Sequence, residues 1–220
     1  MAILFDSSTL ISLATTCGLT YLPQLQKIYG SDFAITNTVK AETIGKSMET
    51  MRFKYEGIRL NNLIGQNVLK LYEEKGHAQK INTLMNSINS SFFAEGKPLK
   101  IVHPGEISVL VLGKVANADA LAIDERTTRL VIENPEMLRD MLQSKLHTNV
   151  KINKDNMAFV SDFCKGMQVI RSAELAFAAW KAGLLGINSK DALEGVLWAL
   201  KFAGCAISQD EINTYVNKFA

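Results

Sequence analysis

Ala2-Ile3-Leu4-Phe5-Asp6-Ser7-Ser8-Thr9 decides the fold. Four consecutive apolar residues predict a strand buried on both faces, as in a parallel sheet. The acid and three hydroxyl residues that follow are good N-caps for a helix over roughly Leu10 to Thr16, closed by Gly18. The same grammar recurs downstream. Phe33-Ala34-Ile35-Thr36 reads as a second buried strand, and Asn37 or Thr38 caps a helix carrying Val39, Glu42 and Ile44. Ala120-Leu121-Ala122-Ile123 is a third, ending at Asp124-Glu125, and Gln168-Val169-Ile170 a fourth. Between them, a short helix spans about Tyr21 to Tyr29. Pro104, at a first helical position, places Glu106 in the opening turn of an apolar helix, Ile107 to Val115. Strands alternating with helices predict a three-layer α/β/α fold with a central parallel sheet of about four strands.

The rest of the chain reads as helical. Leu60, Leu63, Ile64, Val68 and Leu71 keep helical spacing, as do Ile81, Leu84, Met85, Ile88 and Phe92, which predicts a helical hairpin with a turn near Gly76. Asn134-Pro135 marks a fresh helix start, and Thr148 to Gly166 is polar and carries no assignment. Ser172 and Ser189 each cap a helix, ending near Gly183 and Gly204. Ser208-Gln209-Asp210-Glu211 is a capping box opening a last helix with Ile212, Tyr215, Val216 and Phe219 inward.

The 220 residues carry 24 Lys+Arg against 22 Asp+Glu and are 47% hydrophobic, which excludes disordered and polybasic classes. A net charge of +2 does not exclude nucleic acid, because binding depends on local patches. Cys17, Cys164 and Cys205 are widely spaced and odd in number, so neither a disulfide framework nor a structural zinc site is expected. With no signal-like N-terminus and no long apolar run, a cytoplasmic protein away from membranes is expected.

In open parallel sheets, ligands bind beyond the carboxyl ends of the strands. Two strands end in Asp6 and Asp124, so both acids fall on that edge. Glu42 and Glu106 lie in helices that begin there. Four acids with few cations among them repel one another unless they hold a metal or share protons, and hard oxygen ligands select Mg²⁺ or Mn²⁺. A plainer reading stands beside this one, since such acids also serve as helix caps and dipole partners. Ser8, Thr36 and Asn37 are candidate supporting or phosphate contacts on the same terms, or caps alone. Lys40, Lys46, Arg52, Lys54 and Arg59, with Arg126 and Arg129 after Asp124, are candidate phosphate contacts. The alternative for these is a solvated helix face, or for Arg129 an ion pair. His77, His103 and His147 share no ligand spacing and receive no catalytic role.

Ile3-Leu4-Phe5-Asp6-Ser7-Ser8-Thr9-Leu10-Ile11 resembles the opening strand and acid of PIN domains, and Thr36 to Glu42 is similar to their second acidic motif. Pro104-Gly105-Glu106, then Leu121 to Glu125 with Arg129 following, resembles the Gly-Glu and Asp-Asp motifs of one PIN subgroup. Val169-Ile170-Arg171-Ser172 onward fits that subgroup's closing strand and helices. The chain departs from the pattern at Glu125, where the subgroup commonly has Asp. It departs again in a helical insertion of about 45–99 and a second insertion of about 133–166, within one PIN-like domain over 1–220.

The resemblance implies a metal-dependent endoribonuclease. Asp6 and Asp124 would be its principal Mg²⁺ or Mn²⁺ ligands, with Glu42 and Glu106 as additional or water-mediated ones. It also implies RNA as partner, and toxin or ribosomal-RNA-processing roles, with an antitoxin-like protein or a homodimer contact as further partners for the helical insertion. The alternative is a PIN-like RNA-binding or scaffold protein of weak activity. No G-x-x-x-x-G-K-[ST] or G-x-G-x-x-G motif occurs, which disfavours a nucleotide-binding α/β protein.

Overall fold

The computed structural model describes residues 2–219; the side chain of Phe219, expected to face inward, lies outside the described residues. The central sheet is five-stranded and parallel, in the order β3-β2-β1-β6-β8. Strand β1 (Ala2–Phe5) is wholly buried and sits in the middle, as its unbroken apolar run requires. On one side Ile3 pairs with Phe33 of β2 (Asp32–Thr36), which in turn pairs with β3 (Leu69–Tyr72). On the other, Leu4 pairs with Leu121 of β6 (Ala120–Ala122), and β6 with β8 (Val169–Ile170). The chain builds outward from β1 in one direction and returns to build in the other. The crevice between β1 and β6 is therefore the topological switch point, where open α/β sheets place ligands.

Helix α1 (Ser7–Thr15) follows β1 directly, capped by Asp6. Helix α2 (Leu22–Tyr29) leads to β2, with Gly30 closing it in the left-handed region. After β2 the chain forms α3 (Asn37–Lys40), a π-helical turn (Ala41–Gly45) and α4 (Lys46–Glu49), then α5 (Lys54–Gly65). Helices α6 (Ala78–Asn89) and α7 (Pro104–Val115) come next. Helix α7 is buried from Gly105 to Gly113 and packs on β1, β2 and β6, which explains why its sequence is apolar all round. Beyond β6 lie α8 (Arg126–Glu133), α9 (Pro135–Leu146) and α10 (Lys154–Cys164), and beyond β8 come α11 (Ser172–Lys181), α12 (Lys190–Phe202) and α13 (Gln209–Thr214). Arg171, buried at the end of β8, bonds Glu174, Glu211 and the carbonyl of Ala206, and so ties this tail to the sheet edge.

The expected helical hairpin is corrected by β3. Helix α5 ends at Gly65, Asn67 turns in the left-handed region (φ 58°), and the Val68 N–H closes on the Leu63 carbonyl at 2.9 Å. This is a C-terminal cap in which Asn plays the usual glycine part. Val68 and Leu71 continue the helical spacing by coincidence; Leu71 belongs to the outer strand of the main sheet.

Phe92 likewise leaves the predicted helix for β4 (Phe92–Ala94), in a small antiparallel sheet with β5 (Lys97–Pro98) and β7 (Val150–Ile152). The two-residue loop Glu95-Gly96, with φ of 51° and 78°, has the backbone of a tight hairpin turn. Strand β7 comes from the stretch that carried no assignment, so the two predicted insertions pair with each other through β4 and β7.

Candidate active site

Asp6 leaves the end of β1 in extended conformation and is 2% exposed. Its Oδ2 accepts from the Ser8 backbone N–H (3.1 Å) and the Ser8 hydroxyl (2.6 Å). Its Oδ1 is buried with no hydrogen-bond partner among the described residues. Burial pushes the Asp6 carboxyl above the usual range, the Ser8 and Ser7 hydrogen bonds oppose that, and Glu42 adds repulsion. A buried carboxylate oxygen without a donor is costly; a proton or a cation removes that cost.

Glu42 reaches the same place from the π-helical turn, a distortion often found at functional sites. The Ser7 hydroxyl donates to its Oε2 at 2.7 Å. Gly105 makes room for it: a Cβ there would lie 2.8 Å from Glu42 Cδ and overlap Oε2. Glu106, in the first turn of α7, accepts the His103 backbone N–H at 2.7 Å and completes a capping box. A helix N-terminus ordinarily favours the charged form. Here burial dominates and, with the charges of Asp6 and Glu125 and against the His103 bond, raises the carboxyl to about 8.

Asp6, Glu42 and Glu106 line one cavity of about 660 Å³, with Ser7, Lys46 and His103 on its wall. Neither Ser7 nor His103 is expected at the site from the sequence, which reads Ser7 as a helix-cap candidate and gives His103 no catalytic role. Ser7 is discernible only as the neighbour of a strand-end acid, and His103 only as the residue before the Pro-Gly-Glu turn.

Asp124, expected as a principal metal ligand, is placed differently. It is fully buried, its Oδ1 accepts from the Ser172 N–H (2.7 Å) and the Thr9 hydroxyl (3.3 Å), and its Oδ2 accepts from the Ser172 hydroxyl (2.6 Å). Those bonds join the β6 end to α1 and to α11. Ser8 is similarly engaged: it donates to Asp6 and accepts from the N–H groups of Asp124 and Glu125. It bridges the two strand ends and also lines the carboxylate cavity.

Thr36 is buried, caps α3 at Val39 and bonds Ser108 at 2.6 Å, so it has no surface to offer a ligand. Asn37 is exposed at the start of α3 and does not line the carboxylate cavity. Arg129 donates to the Ala206 carbonyl (3.1 Å) and pairs with Glu133. With Arg126 it lines a separate cavity. Of the predicted cations, Lys46 is the one on the carboxylate cavity.

Among the described residues, no three His, Cys, Asp or Glu side chains converge tightly enough to form a ready-made metal cage. The donors lining the cavity nevertheless suit a hard divalent cation, because they are carboxylate oxygens and Asp6 Oδ1 lacks a hydrogen-bond donor among the described residues. No helix among the described residues is long and apolar enough to cross a membrane. In comparisons with known proteins, a family model described as a PIN domain matches residues 2–137. That span takes in Asp6, Glu42, Glu106 and Asp124 and stops short of β8. No curated protein and no solved structure gives a significant match.

Proposed function

Because the chain belongs to the PIN-domain family, whose members are generally nucleases and typically bind divalent metals, we propose that it is a metal-dependent endoribonuclease. The observation that carries this is the buried, unpartnered Oδ1 of Asp6 beside Glu42 and Glu106 on one open cavity at the sheet's switch point. Asp6, Glu42 and Glu106 would hold Mg²⁺ or Mn²⁺. When bound, such an ion offsets charge on the phosphate and lowers the pKa of an attacking water.

The chain's own residues do the positioning. Ser8 fixes Asp6 through Oδ2 and leaves Oδ1 for the ligand. Ser7 fixes Glu42, and the His103 N–H fixes Glu106. Asp124 is a positioning residue in this scheme: it holds the β6 end to Thr9 and Ser172, and thereby the backbone N–H groups that Ser8 receives. Lys46, on the cavity wall, would be the cation to meet a phosphate there. With Asp6 and Glu106 both raised by burial, cation binding displaces protons, so affinity rises with pH.

The experiment is cleavage of a 5′-labelled single-stranded RNA with and without Mn²⁺, by the wild type and by Asp6→Asn. Cleavage that needs Mn²⁺ and disappears in the variant supports the proposal. Absence of both Mn²⁺ binding and cleavage removes it. A second reading, an RNA-binding or scaffold protein of weak activity, draws on the hydrogen-bonded state of Asp124, which leaves three rather than four acids for the cation. RNA binding without Mn²⁺-dependent cleavage would favour it.

A further inference from the structure

Helix α7 is buried from Gly105 to Gly113, and Glu106 and Ser108 are the polar side chains of that stretch. Glu106 lines the carboxylate cavity and Ser108 does not. Ser108 is fully buried, as is Thr36 at the end of β2, expected from the sequence as a phosphate contact. Buried hydroxyls cost free energy unless they are bonded, and alanine would suit an apolar helix better. Their bonds show what they do. Ser108 Oγ lies 2.7 Å from the Gly105 carbonyl, which can only accept, so the single Ser108 hydroxyl proton points there. Thr36 Oγ1 is 2.6 Å from Ser108 Oγ and must therefore be the donor of that pair. Thr36 Oγ1 in turn accepts the Val39 N–H at 3.1 Å. One orientation satisfies every bond: Val39 N–H to Thr36, Thr36 to Ser108, Ser108 to Gly105.

Both ends of this chain of bonds belong to the carboxylate site. It starts in α3, which runs straight into the π-helical turn carrying Glu42. It ends on Gly105, whose missing side chain makes room for the Glu42 carboxylate and which Glu106 follows. The start of α3 is thus tied to the very residue that Glu42 reaches. We infer that Thr36 and Ser108 are positioning residues for the cation: they lock α3 against α7 and so set the separation of the Glu42 and Glu106 carboxylates. The inference rests on the metal-site reading above and adds to it two residues that do not line the cavity. Helices α3 and α7 pack directly, but apolar contact is non-directional and leaves them free to slide. A saturated chain of buried hydrogen bonds admits one register. Glu74, whose two oxygens accept the Thr38 N–H and hydroxyl at 2.8 Å each, holds the same end of α3 to the segment after β3. The Thr36–Ser108 chain supplies the corresponding polar tie to α7, which carries Glu106.

The test is calorimetric Mn²⁺ titration of the full chain as wild type, Ser108→Ala and Val111→Ala, each also in a Glu42→Gln background. Val111 is buried in the same helix and outside the hydroxyl chain, so Val111→Ala loosens the packing of α7 and leaves those bonds intact; melting curves verify folding. Ser108→Ala should weaken Mn²⁺ binding by roughly tenfold or more. Val111→Ala should bind as the wild type does, and Glu42→Gln should remove the effect of Ser108→Ala. Should binding in Glu42→Gln fall below detection, the Val111→Ala comparison decides. Wild-type affinity in Ser108→Ala overturns the inference. So does an equal loss in Val111→Ala, or a loss that persists undiminished beside Glu42→Gln, since either marks a general loosening of the helix. A wild type that binds no Mn²⁺ is a different result, which removes the metal-site reading and the inference with it. RNA left uncleaved by a protein that passes these tests sinks the nuclease reading alone.

Discussion

Glu106→Gln should make the metal-free protein more stable, and the gain should grow with pH. Glutamine keeps the carbonyl that accepts the His103 N–H, so the capping box survives; only the ionisation is lost. In the folded wild type, burial lifts the Glu106 carboxyl from 4.5 to about 8. Between those values the folded chain holds a proton that the unfolded chain has released, so wild-type stability is highest below about 4.5 and falls as pH rises towards 8. At about 1.4 kcal/mol per pH unit, the full loss is on the order of 5 kcal/mol. Water entering the open cavity reduces it; allowing about half for that screening leaves on the order of 2.5 kcal/mol.

A chain of this size shifts its melting temperature by about 2–4 °C per kcal/mol. Glu106→Gln should therefore melt about 5–10 °C above the wild type in EDTA at pH 8, with the difference small by pH 5 and gone below about 4.5. Asp6 is raised by the same cause and leaves the variant a residual slope of the same sign. The assay is thermal unfolding by circular dichroism across pH 5–8, in EDTA and again with Mn²⁺, which should recover stability in the wild type more than in the variant. If the variant melts no higher than the wild type at pH 8 in EDTA, the picture of Glu106 as a strained buried acid is wrong.

The other carboxylates respond in opposite senses. Asp6→Asn should abolish Mn²⁺-dependent cleavage while leaving or raising metal-free stability, as read by labelled-RNA gels beside urea melts. Asp124→Asn should instead destabilise by on the order of 2–3 kcal/mol, because an amide group faces the Ser172 and Thr9 donors that the carboxylate now receives; urea titration measures it. Ser7→Ala should lower Mn²⁺ affinity by roughly 10–100-fold through loss of the bond that orients Glu42, detectable by calorimetry. Gly105→Ala should also weaken Mn²⁺ binding, since its Cβ displaces the Glu42 carboxylate; unchanged affinity would show that Glu42 has other room.

These contrasts bear on what a sequence can reveal about such a site. The central strands were legible because a strand buried on both faces leaves an unbroken apolar run, as in Ala2–Phe5 and in Phe33, Ala34 and Ile35 of β2. Strand β3 was not, because an outer strand is only partly buried and Leu69-Lys70-Leu71-Tyr72 can be phased on a helix as well. Its one local signal was Asn67, whose left-handed backbone ends α5. Strand β7 was hidden for a similar reason: three residues long, it is specified by pairing with β4, more than fifty positions away.

The acids divide along the same line. Type and position at a strand end place both Asp6 and Asp124 on the functional edge, and nothing local separates them. What separates them is distant sequence. Ser172, 48 positions from Asp124, brings both an N–H and a hydroxyl to it, whereas Asp6 takes its short hydrogen bonds from the adjoining Ser8, on one oxygen. A carboxylate whose acceptors are filled acts as a structural joint, and one left half-empty beside an open cavity suits the ligand role proposed above. Asp6 and Asp124 therefore give the more sensitive comparison of the two roles, since of two neighbouring buried acids only Asp124 should lose stability under the same substitution.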